Sequence, residues 1–221
     1  DREVLAWKPS TSEKYKAQLR ALRKTSFKLR IFVMNVEALS TKKGLKEALL
    51  FLNFKSMMIV DESTTIKNPK AKRTKNILLL AKEAKYRRIL TGSPVTQSPM
   101  DLWAQMDFLD PEILGQQSYY AFRTRYAVII TANAAGGTHK YQKIVKFRNL
   151  AQLGKIVSPH SYRVLKKDCL DLPPKVYAKR EVELTDEQRE AYSEMKTDAI
   201  AQLKGQSTTA LNVLTQLIRL H

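Results

Sequence analysis

"MMIVDESTTIKNPKAKR", Met57–Arg73, sets four apolar residues directly before two adjacent acids, then runs into Lys-Asn-Pro and a basic cluster. A short apolar run that is partly β-branched predicts a buried strand. The acids then stand at the lip of a hydrophobic core. Pro69 suits the first position of a helix, where its missing N–H costs nothing, and Asn68 suits the N-cap before it.

Working outward, "LRIFVMN" (Leu29–Asn35) and "RRILTGSP" (Arg87–Pro94) read as two further short buried strands. "GLKEALLFL" reads as a short helix. An earlier helix, capped by Thr11 or Ser12, carries Tyr15, Leu19 and Leu22 on one face. No strand is expected ahead of it. Strands that alternate with helices and are apolar on both faces predict parallel β-α-β units. Beyond Pro99 the pattern becomes mainly helical. Leu102, Met106 and Leu109 share a face, and "AVIITANAAGGTHKYQKIVKF" reads as two strands around an Ala-Ala-Gly-Gly turn. Pro173-Pro174 marks a boundary, "VYAKREVEL" alternates like a strand, and Thr185 with Gln188 forms a capping box for a last helix. The division expected is 1–98, 99–170 and 171–221. Both ends read as cut, so the chain is expected to be the middle of a longer protein.

The chain has 221 residues, 43% of them hydrophobic, enough for a sizeable core. No run approaches the roughly 18 apolar residues of a membrane span, and the charged start lacks a secretory signal. Cys169 is the only cysteine, which excludes an intrachain disulfide and suggests a reducing, intracellular home. A bacterial or viral cytoplasm is expected in preference to a nucleus. The formal net charge is +18, concentrated in residues 1–98 and nearly absent after 170. Such asymmetry points to a polyanionic partner, nucleic acid first, with a plain basic surface as the alternative.

In open parallel sheets, ligands gather at the carboxyl ends of strands. Asp61-Glu62 and Thr91-Gly92-Ser93 each directly follow a predicted strand. Paired carboxylates there suit Mg²⁺, which takes oxygen ligands and keeps several waters, and suit activation of a water nucleophile. An Asp-Glu helix cap is the plain alternative for the bare pair. Cys169 reads as a small core residue and Trp103 as a core anchor. His139 and His160 lack metal-ligand spacing and His221 sits at a cut end, while Arg123 and Arg125 read as plain surface, with phosphate contact as the alternative.

"IVDESTTIKNPKAKRTK", "RRILTGSPVTQSPMDLWAQMDFLDPEILG", "YRVLKKDCLDLPPK" and "LTDEQREAY", in this order, resemble the Snf-type, helicase-like ATPases of helicase superfamily two. The resemblance implies an α/β fold: part of a RecA-like parallel sheet of the P-loop NTPase type, a helical insertion, and the start of a second RecA-like lobe. It implies ATP and Mg²⁺ as cofactors and double-stranded DNA as partner, along which such enzymes translocate. Protein partners are not implied, nor is a membrane. Asp61 matches the Walker-B acid that holds Mg²⁺ through water, and Glu62 the acid that positions the hydrolytic water. Thr91, Gly92 and Ser93 match the motif that couples nucleotide state to nucleic-acid binding. Lys67 and Asn68 match the Lys-Asn after the acids. Asp101, Leu102 and Trp103 match the helix into the insertion. Arg163, Lys166, Lys167 and Asp168, with Leu172, Pro173 and Pro174, match the crossover between lobes.

Two departures stand out. Thr64 occupies the position where the family usually has His. No Gly-x-x-x-x-Gly-Lys-Ser/Thr phosphate loop occurs in the sequence, and "TKKGLKE" (Thr41–Glu47) has the wrong spacing for one. The isolated chain is therefore expected to be inactive as an ATPase. Lys70, Lys72, Arg73 and Lys75 crowd the start of a helix, the end at which the macrodipole disfavours cations. They are expected, with Lys67 and Asn68, to contact a phosphate backbone, against the alternative of a solvated basic face. A non-enzymatic, basic nucleic-acid-binding or protein-interaction module derived from such an ATPase is the competing function.

Overall fold

The computed structural model describes residues 2–10, 12–24, 29–133, 140–171, 173, 176–181, 183–190, 192–194 and 197. The chain divides into two units, Asp1–Arg163 and Val164–His221. The first unit opens with β1 (Arg2–Ala6), α1 (Glu13–Lys24) and β2 (Leu29–Val33). It continues through α2 (Lys42–Phe51), β3 (Met57–Val60), α3 (Lys72–Ala81) and β4 (Tyr86–Ile89). Then follow α4 (Leu102–Leu109), α5 (Tyr119–Tyr126), β5 (Ala127–Asn133), β6 (Lys140–Phe147) and α6 (Leu150–Val157). Strand β1 pairs parallel with β2, and β3 parallel with β4, so two β-α-β units form; the alternation predicts the second, whereas the first is built on a strand it does not mark. Strands β5 and β6 pair antiparallel with an irregularity at Val128/Ile129. The α/β expectation holds.

Helix α1 buries Tyr15, Leu19 and Leu22, the three residues its periodicity selects. Arg30 Nη1 donates to the carbonyls of Leu22 (3.3 Å) and Arg23 (2.8 Å), so a cation from β2 satisfies the end of the helix where the dipole is negative. Arg23 in turn pairs with Glu47 of α2. Helix α2 is capped by Thr41, whose hydroxyl accepts from Gly44 N (3.0 Å) and donates to Ala38 O (2.7 Å). A Cβ on Gly44 would lie 2.2 Å from Ala38 O and 2.8 Å from Ala38 C. Gly44 thus permits close backbone approach, a packing role and no phosphate cradle. Gly44→Ala is expected to cost about 1–3 kcal/mol, the usual range for overpacking, readable as a lower urea midpoint. An unchanged midpoint would remove that role.

Two apolar clusters organise the first unit. Leu39, Ala48, Val60, Ile66, Ile77, Leu80, Ala81 and Phe108 form the first, under β3 and β4. Met100, Leu102, Met106, Leu114, Phe122, Tyr126, Ala127 and Leu153 form the second. Helix α4 supplies Phe108 to one and Leu102 and Met106 to the other, so it is the shared wall between them. Trp103 is half-buried and meets Tyr119 edge-on at 5.7 Å.

Several expectations are corrected. A first strand exists: β1 is only five residues with Arg and Glu at its start, too short for its alternation to stand out. The strands are not buried on both faces. Met57 and Ile59 are more than half exposed, as are Leu29 and Val33, because the helices cover one face of each pair. In the second unit, the described residues from 176 to 184 form no strand; Val176 and Tyr177 are 88% exposed, and an unpaired strand has no ladder to hold it. Cys169, at the end of the short helix α7 (Lys166–Cys169), is exposed and not part of a core. The capping box at Thr185 and Gln188 does form, with bonds of 3.1 and 3.3 Å. Thr11, the Ala-Ala-Gly-Gly turn, His139, Leu172, Pro174 and His221 lie outside the described residues. No helix among the described residues is long and apolar enough to cross a membrane.

Candidate active site

The β3–β4 ladder runs one step past the strands. Leu90 N donates to Val60 O (2.9 Å), and Ser63 N donates to Leu90 O (3.0 Å). One residue of the second segment therefore staples both sides of the Asp61-Glu62 excursion. Thr91 follows immediately, so the acids and Thr91-Gly92-Ser93 emerge side by side at the carboxyl ends of two parallel strands.

Asp61 Oδ1 accepts from Glu62 N (2.9 Å). Both side chains are exposed, and among the described residues no cation pairs with either. Glu62 adopts φ 46° and ψ 57°, the left-handed region. For a glutamate this costs of order 1 kcal/mol and persists only where neighbours hold it. Here Thr65 N donates to Glu62 O (2.9 Å), and Ser63 is fixed at both its backbone and its side chain. Residues Ser63–Ile66 make a 3-10 turn whose last side chain is fully buried in the first core. Thr64 is half-buried in this turn.

The second loop is equally tied down. Thr91 Oγ1 accepts from Ser93 N (3.2 Å), and Ser93 Oγ donates to Val95 O (3.0 Å). Gln105, from α4, donates through Nε2 to Pro94 O (2.7 Å) and Asp101 O (2.8 Å) and accepts from Ser63 Oγ through Oε1 (2.6 Å). Asp101 Oδ2 accepts from Thr96 N and Thr96 Oγ1 (both 3.0 Å), Gln97 N (2.9 Å) and Ser98 N (3.4 Å). Burial pushes the Asp101 carboxyl up, but these donors outweigh it and hold it below its ordinary value. A depressed carboxyl stabilises the fold above the unfolded value near pH 3.9, and that stability is lost as pH falls through the lower folded value. Asp101→Asn is expected to lower stability at pH 7 by about 1.5 kcal/mol, read from urea unfolding, and to flatten the acid loss below about pH 4. A parallel acid limb in both proteins would contradict it.

The basic cluster separates into two kinds of residue. Asn68 does not cap α3. Its Oδ1 accepts from Lys70 N (2.9 Å) and its carbonyl from Ala71 N (3.1 Å), so a turn intervenes and Ala71 is the N-cap. Lys67 Nζ donates to Thr96 Oγ1 (2.6 Å), bridging the acid turn to the loop before α4. Arg73 points inward, donating to Thr65 O (2.8 Å) and pairing with Glu37. Lys70, Lys72 and Lys75 are exposed. Arg123 and Arg125 are engaged by Gln142 and Gln152. His160, Arg163, Lys166 and Asp168 are exposed.

Among the described residues no three His, Cys, Asp or Glu side chains gather as a metal centre. Two exposed carboxylates nonetheless fit Mg²⁺, which is commonly held by one or two carboxylates together with substrate phosphates. Ser63, Thr96 and Gln105 are the residues that sequence reading misses. The available signal was a lone amide inside the apolar "LWAQMDFL".

The model of the SNF2-related domain matches residues 4–221. The TATA-binding protein-associated factor MOT1 of Saccharomyces cerevisiae is 36% identical over 135 residues, 61% of this chain and 7% of that protein. TATA-binding protein-associated factor 172 of Homo sapiens is 34% identical over 128 residues, 57% of this chain and 7% of that protein. The chain thus spans under a tenth of these relatives. The solved Sulfolobus solfataricus SWI2/SNF2 ATPase core in complex with dsDNA aligns over 99% of this chain and 46% of that chain, at 25% identity and a TM-score of 0.49. The expected preference for a bacterial or viral cytoplasm is overturned: fungal and human TATA-binding protein-associated factors are among the relatives.

Proposed function

This chain belongs to the SNF2-related domain family, and on that premise we propose that it is the acid-bearing part of a DNA-stimulated ATP hydrolase that translocates along duplex DNA. The observation that carries this is the Leu90 staple, which sets Asp61-Glu62 beside Thr91-Gly92-Ser93. Glu62 would orient and deprotonate the attacking water, and Asp61 would hold Mg²⁺ through a water. The metal, when bound, neutralises phosphate charge. The Thr91–Ser93 loop would feel nucleic acid and, through the shared strand ends, move the acids. Residues 1–98, 99–170 and 171–221 would then be the late first lobe, the insertion, and the crossover with the start of the second lobe. With no phosphate loop in the sequence, the isolated chain would not turn over ATP.

Exposed Lys70, Lys72 and Lys75 would contact the phosphate backbone, whereas Arg73 supports the turn that carries the acids. Reversing the three lysines to Glu in the full-length protein is expected to weaken duplex binding. It should also reduce the slope of log affinity against log salt by about 0.9 for each phosphate no longer neutralised. Arg73→Glu is expected instead to lower stability. An unchanged slope in the lysine variant would refute the phosphate assignment. The reading as a whole is tested by DNA-stimulated ATP turnover of the full-length protein with and without Glu62.

A further inference from the structure

We infer that Gln105 is a positioning residue that links the aim of Glu62 to the state of the Thr91–Pro94 loop, acting through Ser63. This rests on the role proposed above for Glu62.

Gln105 is fully buried, in a helix whose other inward side chains are Leu102, Ala104, Met106 and Phe108. A buried amide is costly unless its donors and acceptor are used, and these are. Both amide protons go to carbonyls, one of them Pro94 O at the end of the Thr-Gly-Ser-Pro run. The oxygen takes the Ser63 hydroxyl, on the residue directly after Glu62. One side chain therefore touches both loops of the site at once.

The backbone at Glu62 makes the link consequential. Its left-handed conformation is uphill and is retained by what grips its neighbours. Ser63 is held at N by Leu90 and at Oγ by Gln105. Release of the Oγ grip frees Glu62 to relax toward ordinary dihedrals, which turns its carboxylate. A shift of Pro94 O pulls on Nε2 and reaches Ser63 through the same amide. The chain Pro94–Gln105–Ser63–Glu62 is thus a short, rigid path from the loop to the acid. Asp101 anchors the loop on the other side by accepting from Thr96, Gln97 and Ser98, so displacement at Pro94 is directed rather than diffuse.

The test uses the full-length protein and the ratio of ATP turnover with saturating duplex DNA to turnover without it. Misfolded molecules lower both rates alike, so the ratio ignores loss of folded fraction. Gln105→Met keeps volume and removes all three bonds, and Ser63→Ala removes one hydroxyl and serves where the first variant folds poorly. Each is expected to lower the ratio about tenfold, a common size for coupling between sites. The double variant is expected to fall no further than the worse single, because both cut one path. If Glu62→Gln abolishes turnover while Ser63→Ala keeps the ratio within about twofold, the inference fails and the role of Glu62 stands. If Glu62→Gln retains turnover, the role of Glu62 fails and the inference with it.

Discussion

Glu62→Gln in the full-length protein is expected to reduce DNA-stimulated ATP turnover by about 10²- to 10⁴-fold, the range associated with a positioned general base. The substitution keeps the side chain's size and its left-handed backbone but removes the charge that would draw a proton from water. Nucleotide and DNA binding should survive, because Glu62 is exposed and supports no apolar packing. Such a split, binding kept and turnover lost, separates a chemical role from a structural one. Turnover equal to the native protein's would end the Walker-B assignment. The competing function, a basic module that binds nucleic acid or protein without hydrolysis, would then take its place.

The second large effect is one of stability. Phe108→Ala is expected to cost about 3–5 kcal/mol, the usual range for a buried aromatic removed from a core. Phe108 is completely buried in the first cluster, with Ile66, Ile77 and Leu80. Ile66 closes the turn that follows the acids, so the ring also lies beneath the site. Leu79→Ala, on the exposed side of α3 (45% exposed), provides the contrast and should stay within about 0.5 kcal/mol. Urea unfolding followed by intrinsic fluorescence reads both. A Phe108 loss below about 1 kcal/mol would mean the ring does not join α4 to that core.

Much of the architecture was legible because it follows from local pattern. Tyr15, Leu19 and Leu22 fall on one helical face and are buried on it. The alternation of short apolar runs with helices predicts parallel pairing, and β3 and β4 pair so, whereas β2 pairs with a strand that the pattern does not mark. Burial was less legible. Met57 and Ile59 look as apolar as Val60, yet they are largely exposed and Val60 is not. Composition says that a residue prefers a core, not whether a neighbour arrives to make one. Asn68 misled for a related reason. Its Asx turn competes with the cap geometry that Asn-Pro suggests, and the turn wins by delaying the helix to Lys72.

By itself the sequence determined most of the element types up to Val157, though not β1, and the placement of two acids and a Thr-Gly-Ser run after successive strands. It also determined the absence of a phosphate loop within these residues. Those properties are local, set by periodicity, turn chemistry and covalent order. Only the tertiary structure decided that Leu90 staples the acid turn, that Arg73 faces inward while Lys70, Lys72 and Lys75 face water, and that Gln105 joins both loops. Ser63 and Gln105 are 42 positions apart. A hydrogen bond over that separation depends on two chain segments being packed to within a few tenths of an ångström, and no window of sequence contains both.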